Sequence, residues 1–457
     1  MSDGHLAGPA ADVDLDLAGL HTSLEDPALA SMTFLNEVTG RYPKALSFAP
    51  GRPTEDGFDV EAVHRYLRRF CEHLATDRGH THEEVRRTLC QYGRTSGIVH
   101  ELIARQLEVD EGLRVDPASI VVTVGCQEAM YLVLRALRRD DRDVVLAVSP
   151  TYVGLTGAAR LVDMPVLPVA SGTAGVDLPD LAAQVRGARA RGLRPRACYL
   201  VPDFANPSGL SLDLATRREL LALAEREGIL LLEDNPYGMF HDGSGRVPTL
   251  KALDTRRRVV HFGSFAKTVL PGARVGYVVA DQRVGDARGR IQGFAEQLSK
   301  IKSMVTVNTS PISQAVVGGA LLENDFSLER ATSGARAVYQ RNLAHVLRGL
   351  EARFGPCERV SWNRPRGGFF IVVTVPFTAD DELLERSGRS FGVLWTPVSH
   401  FYDGKGGRNQ IRLSCSSLDS EQVEEGLNRL ANLFVDKGVP GVDTGSDSMP
   451  ECSSVSM

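Results

Sequence analysis

The chain has 457 residues, of which 43% are hydrophobic and 24% are charged. These proportions are typical of soluble globular proteins and argue against a disordered, collagenous or coiled-coil chain. The formal net charge of −5 does not favour nucleic acid as a partner, and no apolar run approaches the ~18 residues that indicate a membrane span.

The two ends of the chain lack periodic apolar patterns. Residues 1–30 are polar and acidic, and residues 437–457 are rich in Gly, Ser, Asp and Pro, so we expect a disordered tail at each end. The amino terminus has no basic segment followed by an apolar one and is no signal peptide. The cysteines are scattered and never form a C-x-x-C pair. This distribution favours a cytoplasmic location over a disulfide framework or a zinc site, and we expect no bound metal.

Short apolar runs alternate with helical patterns between the tails. Such alternation predicts right-handed crossovers and an α/β fold with a mainly parallel sheet between helices. Helices are predicted over residues 127–139 and Leu212–Glu227, and the second ends at Gly228, where a C-terminal cap belongs. The predicted strands are Ile120–Val124, Val144–Val148, Cys198–Val201, Ile229–Leu232, Val259–Phe262 and Val275–Val279.

The pattern changes from about residue 330. The predicted elements there are a long helix over Leu328–Phe354, strands over Phe369–Val375 and Gln410–Ser414, and a helix over Ser420–Phe434. We therefore expect a large domain over residues 76–325 and a smaller α+β domain over 326–436, with an amino-terminal segment, 31–75, joining the smaller one.

Polar or aromatic side chains follow five of the predicted strands. In an open α/β sheet, ligands bind outside the carboxyl ends of the strands. The residues that follow successive strands are Gly125, Cys126 and Gln127, then Tyr152, then Asn206, then Asp234 and Tyr237, and finally Ser264, Lys267 and Arg274. Their convergence on one sheet edge predicts a ligand site.

One end of this site has the groups that bind a phosphate. Gly125–Gln127 open a helix, whose free N–H groups suit an anion. Ser264 adds a hydroxyl, and Arg274 adds a guanidinium fork.

The remaining residues match a flat heteroaromatic aldehyde. Tyr152 can stack on a ring, and the carboxylate of Asp234 can pair with a ring nitrogen. Asn206 and Tyr237 can hydrogen-bond a phenolic oxygen, and the amine of Lys267 can condense with an aldehyde. The ligand that combines these groups with a phosphate is pyridoxal 5′-phosphate (PLP).

The sequence resembles the class I/II aminotransferases of PLP fold type I, in their aminoadipate, kynurenine and aromatic branch. The resemblance rests on Asn206-Pro-Ser-Gly, on Asp234-Asn-Pro-Tyr237 and on Ser264-Phe-Ala-Lys267-Thr-Val-Leu-Pro-Gly-Ala-Arg274-Val-Gly. Phe48–Pro53, Leu89–Gly97 and Asn409–Ser417 also fit, and the match covers about residues 35–435. The fold it implies is a seven-stranded, mainly parallel sheet between helices, plus a smaller α+β domain.

The resemblance also implies roles for individual residues. Lys267 would form the Schiff base with PLP, Arg412 would bind the substrate's α-carboxylate, and Gly51 would line the substrate side. Tyr92 would reach a phosphate across the interface of a homodimer. The residues so assigned are catalytic Lys267, Asp234 and Tyr237; cofactor-binding Gly125, Cys126, Gln127, Tyr152, Asn206, Asp234, Tyr237, Ser264, Lys267, Arg274 and Tyr92; and substrate-binding Arg412, Gly51 and Asn206.

The implied activity is transfer of an α-amino group from an amino acid to a 2-oxo acid. Three positions depart from the family pattern: Ala266 replaces a phosphate-binding serine, and Val398 and His400 alter a loop near the substrate side. They keep open an alternative on the same scaffold, namely elimination or decarboxylation-coupled oxidative deamination of an amino acid. A transcription regulator with an aminotransferase-like domain is disfavoured, because such regulators carry a basic winged-helix domain in front, whereas the segment that precedes the matched region here is acidic and only about 35 residues long.

Overall fold

A computed structural model of the protein describes residues 14–55, 57–172, 174–403 and 406–444. The strands are β1 (Leu46–Ser47), β2 (Ile120–Thr123), β3 (Asp143–Ser149), β4 (Val166–Ala170), β5 (Arg194–Leu200), β6 (Leu230–Asp234), β7 (Val259–Ser264), β8 (Gly276–Val279), β9 (Arg283–Gly285), β10 (Ile291–Gly293), β11 (Ser361–Trp362), β12 (Phe370–Thr374), β13 (Val393–Leu394), β14 (Thr396–Pro397) and β15 (Gln410–Ser414). The α-helices are α1 (Pro27–Arg41), α2 (Val60–Glu72), α3 (His82–Cys90), α4 (His100–Glu111), α5 (Gly125–Leu137), α6 (Val153–Leu161), α7 (Leu178–Ala190), α8 (Leu214–Glu227), α9 (Leu250–Leu253), α10 (Phe294–Val305), α11 (Pro311–Glu323), α12 (Leu328–Ala331), α13 (Ser333–Phe354), α14 (Asp381–Arg386) and α15 (Ser420–Asp436). Short 3-10 helices cover Leu17–Gly19, Thr22–Glu25, Pro117–Ser119, Pro271–Ala273 and Val398–Phe401, and π-helical turns cover His73–Asp77 and Ser387–Phe391.

The larger sheet has seven strands in the order β2-β8-β7-β6-β5-β3-β4. The strands from β7 to β4 pair in parallel, and β8 runs antiparallel between β2 and β7. Leu231 packs in the core beneath α7 and α8, whereas Leu232 packs on the opposite face with α5 and α6. Helices cover both faces of the sheet, which explains why β6 begins with a continuous run of leucines. The predicted α/β fold with a mainly parallel sheet of seven strands is confirmed.

A second sheet, with the order β11-β12-β15-β14, forms the centre of the smaller α+β body. Its core includes Phe354, Trp395 and Phe434, to which α13 and α15 contribute. Strand β1 pairs in parallel with β13 and so attaches part of the amino-terminal segment to this body. Helix α2, in contrast, packs against α11 of the large body, where Gly319 lies against the backbone of Tyr66.

The predicted long helix over Leu328–Phe354 is divided into α12 and α13 at Thr332. The Thr332 backbone has φ −96° and ψ 4°, which departs from helical geometry. Its hydroxyl donates a 2.8 Å hydrogen bond to the carbonyl of Leu328. Bonding of a threonine side chain to the preceding turn competes with the regular helix and accounts for the break.

The predicted tails overlap the described residues only in part, because 1–13 and 445–457 lie outside them. Within the predicted amino-terminal tail, α1 begins at Pro27, and Asp26 caps it by accepting a 2.8 Å hydrogen bond from the N–H of Ala28. Asp26 also forms a 2.7 Å ion pair with Arg160 of α6, so this segment contacts the large body. In the described ranges, no helix is both long and apolar enough to span a bilayer.

Candidate active site

A cavity of about 230 Å³ lies at the carboxyl ends of the parallel strands, facing β15 of the smaller body. Eleven of the thirteen residues predicted from sequence line it. They are Gly51, Cys126, Gln127, Tyr152, Asn206, Asp234, Tyr237, Ser264, Lys267, Arg274 and Arg412. Of the other two, Gly125 lies directly behind Arg274, and Tyr92 is 84% exposed on the surface.

Lys267 follows β7 and extends its amine into this cavity. Its Nζ donates a 2.7 Å hydrogen bond to the carbonyl of Gly51. Burial lowers the pKa of Lys267 to about 8, and the nearby cations Arg274, Arg412 and Arg52 act in the same direction. About a tenth of this amine is therefore neutral, and hence nucleophilic, at pH 7, far more than for an ordinary lysine.

Asp234 is the last residue of β6 and is 4% exposed. Burial raises the pKa of its carboxyl to about 6, although a hydrogen bond from Tyr199 opposes this shift. The hydroxyl of Tyr199 donates to Oδ2 of Asp234 at 2.7 Å. A buried carboxylate that lies alongside the cavity is suited to a cationic ring nitrogen.

Arg412 projects from β15, and its guanidinium donates hydrogen bonds to residues in three separate segments of the chain. Its Nη1 donates to Oδ1 of Asn206 at 2.5 Å, and its Nη2 donates to the carbonyl of Ala49 at 2.6 Å and to the hydroxyl of Thr396 at 3.1 Å. Its Nε is buried and has no protein acceptor among the described residues. Burial lowers the pKa of Arg412 to about 10, so it stays charged at neutral pH and can pair with a carboxylate.

Two aromatic rings enclose the Arg412 guanidinium. Its central carbon is 4.4 Å from the ring centroid of Phe370 and 5.0 Å from that of Phe401. Phe370 also packs edge-on against Tyr237, with 5.5 Å between ring centroids. The rings fix the orientation of the guanidinium, and of the two only Phe401 is among the described residues that line the cavity.

The opposite end of the cavity has the geometry of an anion site. Helix α5 begins at Gly125, whose φ of +69° favours glycine. A Cβ at Gly125 would lie 2.5 Å from Nη2 of Arg274, so only glycine lets this guanidinium approach the helix start. The Ser264 hydroxyl accepts a 3.2 Å hydrogen bond from the N–H of Ala266 and so keeps its proton available to a ligand.

Cys126 contributes its backbone to this end rather than a reactive thiol. Its Sγ donates a 3.1 Å hydrogen bond to the carbonyl of Gly263. Burial raises the pKa of the Cys126 thiol, and the charge of Asp234 adds to the shift. The thiolate is therefore disfavoured.

These groups fit PLP in number and kind. The guanidinium of Arg274, the Ser264 hydroxyl and the start of α5 suit its phosphate. Tyr237 is buried and Tyr152 is partly buried, and this removal from water raises the pKa of each phenol and keeps it protonated. The two phenols can therefore stack on or donate to a ring.

The altered loop does not bring its unusual residues into the cavity. Val398 is fully buried, and neither it nor His400 is among the described residues that line the site. Nδ1 of His400 lies 2.7 Å from the hydroxyl of Ser31, and Nε2 lies 2.7 Å from Oδ1 of Asp381. His400 therefore contacts α1 and α14.

Sequence reasoning did not identify Tyr199, the partner of Asp234, or the two rings that contact Arg412. Tyr199 lies in the buried carboxyl-terminal half of β5, and its hydroxyl was the only signal of a polar role. Arg52, which also lines the cavity, was part of the Phe48–Pro53 motif but was not singled out.

The family model for aminotransferase class I and II matches residues 68–430. The chain belongs to this family. It is 57% identical to the (S)-3,5-dihydroxyphenylglycine transaminase of Amycolatopsis orientalis, over 92% of this chain and 94% of the relative. The resemblance inferred from the motifs is thus confirmed.

Solved structures of aminotransferases share the fold. The α-aminoadipate aminotransferase LysN of Thermus thermophilus, complexed with N-(5′-phosphopyridoxyl)-L-leucine, is 28% identical, with a TM-score of 0.74 over 92% of this chain and 98% of that one. The kynurenine aminotransferase of Pyrococcus horikoshii is 26% identical, with a TM-score of 0.75 over 88% of this chain and 94% of that one. This class I/II aminotransferase is therefore a PLP-dependent enzyme that transaminates amino acids.

Proposed function

We propose that this aminotransferase transfers the amino group of an arylglycine to a 2-oxo acid. The observation that carries the proposal is its 57% identity to a dihydroxyphenylglycine transaminase over nearly the whole of both chains. Phe401, which lines the cavity beside Arg412, supports it. An arylglycine places its ring one bond from the carbon that carries the carboxylate, so a carboxylate bound by Arg412 would bring the ring close to Phe401.

In this proposal, Lys267 is the residue that binds PLP covalently and moves the proton at the substrate Cα. PLP supplies an electron-accepting ring conjugated to an aldehyde carbon. The lowered pKa of Lys267 makes its amine available as a general base. Asp234 would hold a positive charge on the ring nitrogen of bound PLP, and the hydrogen bond from Tyr199 orients that carboxylate and favours its ionised form.

Arg412 is proposed to fix the orientation of the substrate. Its contacts to Asn206, Ala49 and Thr396 leave the buried Nε without a protein acceptor among the described residues. A carboxylate that displaces part of this network would be held in one orientation, which sets the Cα–H bond relative to the cofactor. Asn206 and Tyr237 then line the side of the cavity where the ring oxygen of PLP would lie.

We further propose that the active unit is a homodimer in the cytoplasm. Tyr92 is 84% exposed, and the next residue, Gly93, lies beside Asn308 and Pro311. Ile312, which follows Pro311 in the chain, is also exposed, at 55%. Exposed apolar side chains on these adjoining segments suit burial against a second copy, which would bring Tyr92 toward the partner's phosphate site. The six described cysteines are free, as suits a reducing compartment.

Substrate competition tests the proposed activity. The enzyme is given (S)-3,5-dihydroxyphenylglycine, phenylalanine or 2-aminoadipate with a panel of 2-oxo acids, and products are measured by mass spectrometry. We expect kcat/KM for the arylglycine to exceed that for 2-aminoadipate by about 100-fold, since burial of an aryl ring against Phe401 gains several kcal/mol. It should exceed that for phenylalanine by about tenfold, since the extra methylene displaces the ring at a cost of about 1–3 kcal/mol. A preference for 2-aminoadipate would contradict the arylglycine proposal, and ammonia release without a new amino acid would indicate the alternative reactions.

A further inference from the structure

A buried ion pair lies behind the phosphate end of the cavity and joins α5 to α10. Glu128 is in the first turn of α5, and Lys302 is in the last turn of α10. The Nζ of Lys302 lies 3.0 Å and 2.8 Å from the two carboxylate oxygens of Glu128. The Lys302 side chain is fully buried, and the hydroxyl of Thr306 donates a 2.5 Å hydrogen bond to the same carboxylate. A pair enclosed in this way interacts strongly, because little water screens it.

The Glu128 carboxylate also contacts the turn at which the phosphate site begins. Its Oε2 accepts a 2.6 Å hydrogen bond from the backbone N–H of Val124. Val124 immediately precedes Gly125, and the Thr123 hydroxyl donates a 2.9 Å bond to the Gly125 carbonyl. Glu128 therefore helps to fix the turn that orients the first N–H groups of α5 toward the cavity.

The negative charge of Glu128 in this position would by itself oppose the binding of a phosphate. It lies one helical turn from N–H groups that are suited to a phosphate, and an unpaired negative charge there would repel that anion. Lys302 places a positive charge against both oxygens and offsets the repulsion. The hydrogen bond from Thr306 leaves the carboxylate with a complete set of donors.

We propose that Glu128 and Lys302 are positioning residues for the cofactor phosphate. Glu128 holds the Val124–Gly125 turn in its binding geometry, and Lys302 neutralises the charge that this arrangement places beside the phosphate. Neither residue is among the described residues that line the cavity, so both act through the turn and through the local field.

Affinities for two ligands, one with and one without a phosphate, distinguish this role from a general contribution to stability. The affinity of the full chain, stripped of cofactor, is measured for PLP and for pyridoxal, which lacks the phosphate. In Lys302→Met, we expect PLP affinity to fall by about tenfold or more, as one uncompensated charge implies. We expect pyridoxal affinity to change by less than about threefold, because no phosphate is present to be repelled.

The Glu128→Gln variant should act in the opposite direction. Its amide oxygen can still accept the Val124 N–H, while the remaining Lys302 charge attracts the phosphate, so the ratio of PLP to pyridoxal affinity should rise. In the double variant, the ratio should return toward that of the wild type. Lys251→Met is the matched control, because Lys251 is 3% exposed and forms a 2.6 Å ion pair with Asp281 on a different part of the sheet.

Equal losses of PLP and pyridoxal affinity in Lys302→Met would overturn the proposal, as would an unchanged ratio in Glu128→Gln. If Lys302→Met does not fold, the direction of the Glu128→Gln effect decides, since a lower or unchanged ratio contradicts the charge argument. A change in the ratio of the same size in Lys251→Met would assign the effect to general destabilisation and would also contradict it.

Discussion

The hydroxyl of Tyr199 donates a 2.7 Å hydrogen bond to Oδ2 of Asp234, and both side chains are buried in the large sheet. The pair joins the carboxyl-terminal half of β5 to the end of β6, two neighbouring parallel strands. Burial raises the pKa of Asp234 to about 6, whereas the bond from Tyr199 stabilises the ionised form. Tyr199 thereby determines how much of the carboxylate is available to the cofactor near neutral pH.

Replacement of Tyr199 by Phe should therefore alter the pH dependence of the enzyme. Loss of the donor raises the pKa of Asp234, so the carboxylate takes up its proton at a higher pH. The pKa of Asp234 is about 6 in the cofactor-free chain, and the acidic limb of the turnover profile of the PLP-loaded enzyme should move to higher pH. Turnover at neutral pH should fall by about tenfold, as expected for a hydrogen bond to a charged group.

The measurement is kcat as a function of pH for the wild type and Tyr199→Phe. Tyr131→Phe provides the control, because Tyr131 is partly buried on α5 and does not line the described cavity. An acidic limb that stays in place would remove Tyr199 from the control of Asp234.

Covalent capture of PLP should follow the titration of Lys267. The amine reacts in its neutral form, so the capture rate should rise with pH and level off above about 8, the pKa of this group. Stopped-flow absorbance with the cofactor-free chain measures the rate. Borohydride reduction and peptide mapping should then place the pyridoxyl mass on Lys267, and its recovery on another lysine would contradict the assignment.

The same pKa predicts how the stability of the cofactor-free chain depends on pH. The pKa of Lys267 lies at about 8 in the folded chain, against an ordinary value of 10.5 for a lysine in water. Between these values the unfolded chain binds more protons, so the free energy of unfolding should increase as pH rises. In Lys267→Met this component should vanish, while in the exposed control Lys300→Met it should persist. Thermal unfolding at several pH values measures both, and an identical slope in wild type and Lys267→Met would contradict the lowered pKa.

Loss of the Arg412 guanidinium should lower kcat/KM for substrates that carry a carboxylate and change it little for those that lack one. In Arg412→Gln, we expect kcat/KM for the amino acid to fall by about 100-fold or more, because a bidentate charged contact is lost. Reaction with the corresponding amine, which has no carboxylate, should change little. Comparable losses for the two substrates, or a large loss of PLP affinity, would show that Arg412 serves the architecture of the site instead.

Mixing two inactive or impaired variants tests whether Tyr92 acts across a dimer interface. A Tyr92→Phe chain retains Lys267, and a Lys267→Ala chain retains Tyr92. Random pairing should yield heterodimers in which one site has both groups and the other has neither, so roughly a quarter of all sites should be intact. Activity well above that of unmixed Tyr92→Phe protein is expected. No gain on mixing, in chains shown by light scattering to exchange subunits, would place Tyr92 outside the partner's site.

Short local patterns determined much of the fold and of the site. The strand predicted over Val259–Phe262, which extends to Ser264, the strand Gln410–Ser414 and the end of α8 at Gly228 followed from apolar periodicity and a glycine cap, which depend on neighbouring residues. Lys267 and Asp234 were identifiable because each lies shortly after the end of a predicted strand, and the carboxyl ends of parallel strands meet at one sheet edge. The order of the motifs along the chain then determined the family.

The tertiary structure decided which distant side chains meet. Tyr199 and Asp234 are 35 residues apart and Glu128 and Lys302 are 174 apart, so neither pair has a local sequence signal. The network around Arg412 likewise joins β15 to Asn206 and Ala49, and the break at Thr332 depends on a side-chain hydrogen bond that apolar periodicity does not encode. Apolar periodicity specifies which face of an element is buried, whereas the charge state and orientation of a buried polar group depend on partners that only the folded chain brings within hydrogen-bonding distance.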